Sequence, residues 1–402
     1  MESRKHREVL MIPGPTEVDP AVLSVMALPV TVHYGSEWVK IYNETCTMLG
    51  QLMGSKEQAI LHTGPGSFGM EMAVANVVEK DLPVLCCING FFGQRFLDIL
   101  EAYGARAVKV NAPLGQAIDP DAVDRELRSN PEARGVFLVH SETSTGVLNP
   151  LKEIAAVAQS HDALMVADTI SSLGTSEVDV DRWGVDLCVS ASQKGLGAPP
   201  GLCMLTVSRK AWDYVEHRSS KPHGWAVSLL TWKHFQEKWA AWHPHPTTES
   251  TPLVLALRES VRSILSEGLQ QVYERHRRAA AAMREGALRL DLNPFVKNDK
   301  EASKAVSAIA VPPGVNADRV MIFMKDRFHI LVGGGLEELK GKILRVGHMA
   351  NTANEEFITL ALTALGAALR DQGKKSDIQA ALHRVDEIFT IDRSARSSGV
   401  LG

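Results

Sequence analysis

The chain is predicted to be α/β, with a mostly parallel seven-stranded sheet in a large domain and a smaller α/β domain after it. Three observations predict this. Seven short apolar runs recur between about residues 55 and 210: Ala59–His62, Val84–Ile88, Ala107–Val110, Gly135–Val139, Leu164–Ala167, Leu187–Ser190 and Cys203–Val207. Their near-continuous apolar character suits strands buried on both faces. Helix-like segments lie between them, with Asn76-Val77-Val78 and Ile154–Ser160 on crossover helices. Third, 402 residues at 45% hydrophobic and 22% charged can bury the core of two or so domains.

Beyond the sheet, Leu253, Leu257, Val261, Leu265, Leu269 and Val272 recur at helical spacing. They predict one helical stretch from about Thr251 to Leu290, containing the long helix that joins the domains. Strands follow at Ser307–Val311, Ile330–Val332 and Ile343–Val346, then a helix from Ala353 to Leu369. A helical patch at Ile378–Ile388 precedes a polar Arg/Ser/Gly end expected to be mobile. Internal repeats and low-complexity segments are absent.

A net charge of -4 gives no electrostatic case for nucleic acid or a membrane surface. No apolar run is long enough to span a bilayer. The basic start, Met1 to Arg7, is followed only by the short run Val9 to Ile12 before Pro13-Gly14-Pro15. A signal peptide needs a longer apolar region, so a cytoplasmic protein is expected. Cys46, Cys86, Cys87, Cys188 and Cys203 show no metal spacing and read as reduced core residues. No metal site is expected.

The chemistry gathers at strand ends, where open α/β sheets bind ligands. Lys194 follows the run ending at Ser190 and sits among small residues before Gly195-Leu196-Gly197-Ala198-Pro199-Pro200-Gly201. An apolar strand end lowers an amine's pKa and makes it a nucleophile toward carbonyls. Asp168 ends the preceding strand; alone it would read equally well as a helix N-cap. Thr63-Gly64-Pro65-Gly66-Ser67-Phe68-Gly69 runs from a strand into a helix. Its glycines and helix N-terminus could receive an anion, although a tight turn explains them too. His140-Ser141-Glu142-Thr143-Ser144-Thr145-Gly146 forms another strand-end loop. Glu142 reads as orienting this loop rather than touching substrate, and His140 as a packed histidine. Together, Lys194 and Asp168 match what pyridoxal phosphate needs: an amine for its aldehyde and a carboxylate for its ring nitrogen.

In this order the motifs resemble the class V, fold type I pyridoxal-phosphate aminotransferases, in the serine–pyruvate/alanine–glyoxylate branch, from about Ile12 to Leu369. The resemblance implies that Lys194 forms the Schiff base and then shuttles the substrate proton. It implies that Gly66, Ser67 and Phe68 cradle the phosphate, with Gln193 beside it. Phe92, from Asn89-Gly90-Phe91-Phe92-Gly93-Gln94-Arg95, would stack on the pyridine ring, where many relatives carry Trp. Ile170 would pack on the other ring face, and Ser144 would bond the ring hydroxyl. Leu257-Arg258-Glu259-Ser260 sets a register in which His245 and Thr248 reach the neighbouring subunit's phosphate, with His in place of the usual Tyr. A homodimer with shared sites follows. Arg345, in Leu344-Arg345-Val346-Gly347, would bind the substrate α-carboxylate, and Gly333-Gly334-Gly335 would form a flexible loop closing over it. Gly14 would admit the substrate backbone; His33 and Tyr34 read either as substrate contacts or as loop packing.

The implied organisation is an N-terminal active-site segment at 1–20, a large cofactor domain at 21–265, a small domain at 266–375 and an extension at 376–402. The implied activity is amino transfer from a small amino acid such as Ala or Ser to a 2-oxo acid such as glyoxylate or pyruvate. Aminoethylphosphonate, ureidoglycine and pyridoxamine transaminases share most motifs and stay open. The pyridoxamine branch places an acid in its phosphate loop, and Gly64-Pro65-Gly66-Ser67-Phe68 contains none. A desulfurase needs a cysteine in the small domain, and none follows Cys203.

Overall fold

The computed structural model describes residues 7–398. Seven strands form the main sheet: β1 (Ile60–Thr63), β2 (Pro83–Ile88), β3 (Arg106–Asn111), β4 (Gly135–Val139), β5 (Leu164–Asp168), β6 (Leu187–Ala191) and β7 (Leu202–Val207). Their spatial order is β1-β7-β6-β5-β4-β2-β3. The strands from β6 to β3 pair in parallel, and β7 runs antiparallel to both β6 and β1.

Side-chain alternation sorts the sheet's residues between two cores. On one face Leu61, Leu85, Leu138, Met165 and Met204 pack against α1 (Ser36–Leu52) and other helices. On the other, Ile60, Val84, Phe137, Val166 and Leu205 meet α2 (Gly66–Val77) and α3 (Phe91–Ala102). Burial on both faces explains why the strand sequences are apolar throughout.

The helical stretch from Thr251 to Leu290 consists of two helices. Gly268 adopts φ 89° between α4 (Thr251–Glu267) and α5 (Leu269–Arg289). That backbone region is open to glycine and costly for other residues, so the helical ladder stops there. A separate core follows, built from Met283, Ala287, Ile309, Leu344, Val346, Leu362 and Leu365. It encloses β8 (Val306–Ala310), β9 (Gly333–Gly334), β10 (Ile343–Gly347) and α6 (Glu355–Asp371).

Two expectations change. Ile330–Leu331 does not join the small sheet; it pairs in parallel with Val9–Leu10. The triple glycine is no free loop, because Gly333 and Gly334 pair with Arg345 and Leu344. The tail helix α7 runs from Ile378 to Ser398, past the predicted patch; residues 399–402 of the polar end lie outside the described residues.

Candidate active site

Five strand ends converge. Asp168 closes β5, and Lys194 lies three residues after β6. The turn after β1 opens α2, the turn after β2 opens α3, and β4 leads into the His140 loop. The N-terminal segment crosses this edge. Thr16 N–H donates to the Gln193 carbonyl at 3.2 Å, and Thr16 Oγ1 donates to the Met349 carbonyl at 2.9 Å. It thereby links the lysine turn to the small domain.

A cleft of about 280 Å³ is lined by Gly14, Gly66, Ser67, Phe92, Asp168, Ile170, Gln193 and Lys194, among others. Lys194 Nζ donates to the Pro13 carbonyl. Burial, aided by the charge of Arg345, lowers its pKa to about 8, and Asp168 partly opposes this. A Cβ on Gly14 would stand 2.5 Å from Lys194 Cδ, so only glycine leaves the lysine its course. Asp168 is buried, and burial raises its pKa to about 7. Its Oδ1 accepts one hydrogen bond, from Ile170 N–H at 2.7 Å, which is the cap-like contact expected of a strand-end acid.

The phosphate loop divides. Gly66 and Ser67 line the cleft at the N-terminus of α2, where helical N–H groups lack partners. A Cβ on Gly66 would meet Ile170 Cδ1 at 2.5 Å. Phe68 instead packs its ring against His62, with centroids 4.7 Å apart, and is not among the cleft-lining residues.

The His140 loop departs from the implied roles. Ser144 Oγ donates to Glu142 Oε1 at 2.6 Å and accepts from Phe91 N–H at 2.9 Å. It faces a neighbouring cavity, whereas Thr143 and Ser141 line the cleft with Lys194. Glu142 accepts from the N–H groups of Phe92, Gly93 and Ser144 at 3.0 Å each. It is fully buried and holds the start of α3, so its work is orientation. His140 is buried neutral, its pKa lowered to about 4 by burial.

Arg345 sits on β10. Its Nε donates to the Gly334 carbonyl at 2.7 Å and its Nη1 to the Thr143 carbonyl at 3.2 Å. These bonds fix the guanidinium plane between the His140 loop and β9. It is not itself among the cleft-lining residues, but it is bound to one that is.

The cross-subunit pair also divides. His245 is completely buried, with Nε2 accepting from Trp38 Nε1–H at 2.8 Å and Nδ1 donating to the Thr247 carbonyl at 2.7 Å. Both nitrogens are engaged within the chain, and burial lowers its pKa to about 4. Thr248 is exposed. His33 stacks near His243 and His245, with centroids 5.3 and 6.1 Å away, and does not line the cleft.

Sequence reasoning left Met70, Thr143 and Ser141 unassigned and could not place Arg95, a candidate second cation; all four line the cleft, as does Pro15 of the N-terminal segment. The signal for Arg95 was its position three residues after Phe92, on the same helical face.

The cleft's polar groups fit pyridoxal phosphate. Gln193 lines this cleft, and its Oε1 is buried without a hydrogen-bond partner. An amine, a buried carboxyl, an orphaned amide oxygen and a helix N-terminus around one apolar slot match an aldehyde, a ring nitrogen and a phosphate.

Comparison with known proteins agrees. Residues 23–353 match the aminotransferase class-V family model. The (S)-ureidoglycine–glyoxylate transaminase of Bacillus subtilis is 32% identical over 94% of this chain and 95% of its own. An uncharacterized aminotransferase of Methanocaldococcus jannaschii is 36% identical over 91% and 96%. The crystal structure of pyridoxamine–pyruvate aminotransferase from Mesorhizobium loti superposes with a TM-score of 0.91 at 28% identity, covering 97% of this chain and 99% of that one. The chain belongs to the class-V aminotransferases, enzymes of pyridoxal-phosphate fold type I. It is a pyridoxal-phosphate-dependent aminotransferase.

Proposed function

We propose that this enzyme moves the amino group of a small α-amino acid, of the Ala or Ser type, to glyoxylate or pyruvate. The observation that carries this is Arg345, fixed by the Gly334 and Thr143 carbonyls beside the lysine cleft. A guanidinium so held offers its remaining edge to one α-carboxylate. The names of relatives run the same way: alanine–glyoxylate, serine–glyoxylate and ureidoglycine–glyoxylate transaminases. A phosphate loop without an acid argues against pyridoxamine as donor.

Bound pyridoxal phosphate supplies an electron sink for the broken Cα–H bond. The protein's share is positional. Asp168 Oδ would hold the ring nitrogen's proton, Phe92 and Ile170 would wall the ring, and Gly66, Ser67 and Gln193 would hold the phosphate end. Thr143, which lines the cleft where Ser144 does not, is the hydroxyl we assign to the ring oxygen. Lys194 Nζ would take the proton from substrate Cα and deliver it to the cofactor's former aldehyde carbon, across the shared nitrogen, a task its lowered pKa suits near neutral pH.

The enzyme is proposed to be a homodimer. Leu28, Val30, Val32, Trp225 and Trp242 are exposed, Val30 at 80%, more apolar surface than a lone subunit leaves uncovered. Gly35 N–H bonds the Trp242 carbonyl at 2.8 Å, joining the two segments that carry this surface near exposed Thr248. The five described cysteines are free and buried, which suits the reducing cytoplasm. Among the described residues, no helix is long and apolar enough to cross a membrane.

Single-turnover spectroscopy of the purified holoenzyme tests the reaction. Ala or Ser should bleach the cofactor's visible band, and glyoxylate or pyruvate should restore it. A band that no α-amino acid changes would contradict the proposal.

A further inference from the structure

Beside the cleft lies a larger cavity of about 700 Å³, lined by α3, the 111–114 turn and the small-domain loop 336–339. Glyoxylate, pyruvate, alanine and serine would leave it unfilled. Arg95 lines both spaces. Its guanidinium carbon stands 4.9 Å from the Phe92 ring centroid and 5.1 Å from that of Phe91. The two rings stand at 88° to each other, so these cation–π contacts hold the guanidinium carbon in the corner between them. The Arg95 guanidinium makes no hydrogen bond or ion pair with any described side chain or carbonyl, its ring contacts aside. The other arginine near Lys194, Arg345, is already tied to backbone carbonyls and assigned to the α-carboxylate.

We infer that Arg95 anchors a second carboxylate, on the side chain of dicarboxylic 2-oxo acids and their amino-acid counterparts, with the tail lying in this cavity. The inference rests on the amino-transfer reading and widens its substrate range. A carboxylate matches the fork in two parallel bonds. The roof carries Glu337 and Glu338, and Asp98 lies on the wall, where it accepts from Gln94 Nε2 at 2.8 Å. These acids oppose any anion, and a doubly charged phosphonate more than a singly charged carboxylate, so the tail's binding depends on the Arg95 fork.

The test is the amino-loaded holoenzyme, mixed in single turnovers with glyoxylate, pyruvate, oxaloacetate or 2-oxoglutarate. Wild type should turn over at least one dicarboxylic acid with saturation. Arg95→Gln should lower the dicarboxylate-to-glyoxylate ratio of kcat/KM by about tenfold or more, chiefly through KM. Arg95→Lys should recover part of it, and Glu338→Gln should raise the ratio. An Arg that only supports Phe92 would depress all four acids equally. Equal depression in Arg95→Gln overturns the inference, as does wild type that takes glyoxylate or pyruvate but neither dicarboxylate. Failure with all four acids would overturn the amino-transfer reading itself.

Discussion

Two buried carboxylates stand at neighbouring strand ends and have opposite surroundings. Glu142 accepts four hydrogen bonds, from three backbone N–H groups and the Ser144 hydroxyl. Asp168 accepts one. Burial raises both pKa values, but Glu142's partners pull it back, while Asp168 is left near 7. The same division runs through the molecule. Glu249, away from the cleft, is saturated by Thr63, Thr247 and His62, and its pKa is held low despite burial. Saturated polar groups build the scaffold. Within the cleft, Asp168 with its single bond and Gln193 with its partnerless Oε1 are where a ligand would complete the network.

Removing Lys194 should break the cleft side of this comparison most completely. Lys194→Ala is expected to lower kcat by at least about 10³-fold while the protein stays folded, measured by steady-state kinetics and circular dichroism. Asp168→Asn comes next, with kcat/KM falling about 10²-fold because the ring nitrogen loses its charged partner. Retention of wild-type rates would remove Asp168 from the machinery.

Glu142→Ala addresses the scaffold side. It strands three N–H groups and should cost about 3 kcal/mol or more in urea unfolding. Any loss of activity should follow from loss of fold. The smallest contrast separates adjacent hydroxyls. Thr143→Ala should weaken pyridoxal-phosphate affinity by about tenfold at most, while Ser144→Ala should cost about 1 kcal/mol of stability and leave affinity within about twofold. The reverse pattern would restore Ser144 to the ring hydroxyl.

Acidity offers another check on the lysine. Only the neutral amine attacks an aldehyde, so reconstitution of apoenzyme with the cofactor should accelerate as pH rises, with a midpoint near the lowered Lys194 value of about 8. A midpoint in the ordinary lysine range would mean that Nζ is not desolvated.

The sequence made the sheet and the reactive pair legible because both rest on local pattern. Apolar runs mark buried strands, and Lys194 and Asp168 follow such runs directly. What stayed hidden depends on distant partners or on side-chain direction. Ile330–Leu331 pairs with Val9–Leu10, a contact no window of sequence contains. His245 is occupied by Trp38, 207 residues away. Thr143 and Ser144 are chemically alike, but Glu142 engages the Ser144 hydroxyl, and Thr143 is the one that lines the cleft. The break at Gly268 was signalled by the glycine itself, but the apolar spacing continues across it.

The central claim is that the cleft holds its groups short of partners at a cost to the empty protein. Asp168 tests it most directly. Its pKa is raised on folding, so the folded chain retains a proton that the unfolded chain releases. Its stability contribution is fullest below the ordinary aspartate range and is lost as pH rises through about 7. Unfolding free energies of the apoenzyme and its Asp168→Asn variant should therefore diverge with pH. The variant should be the more stable by on the order of 1–3 kcal/mol near pH 8, and the gap should close toward pH ~4. A variant less stable than wild type at pH ~8 would show that Asp168 is scaffold like Glu142, and would contradict the account.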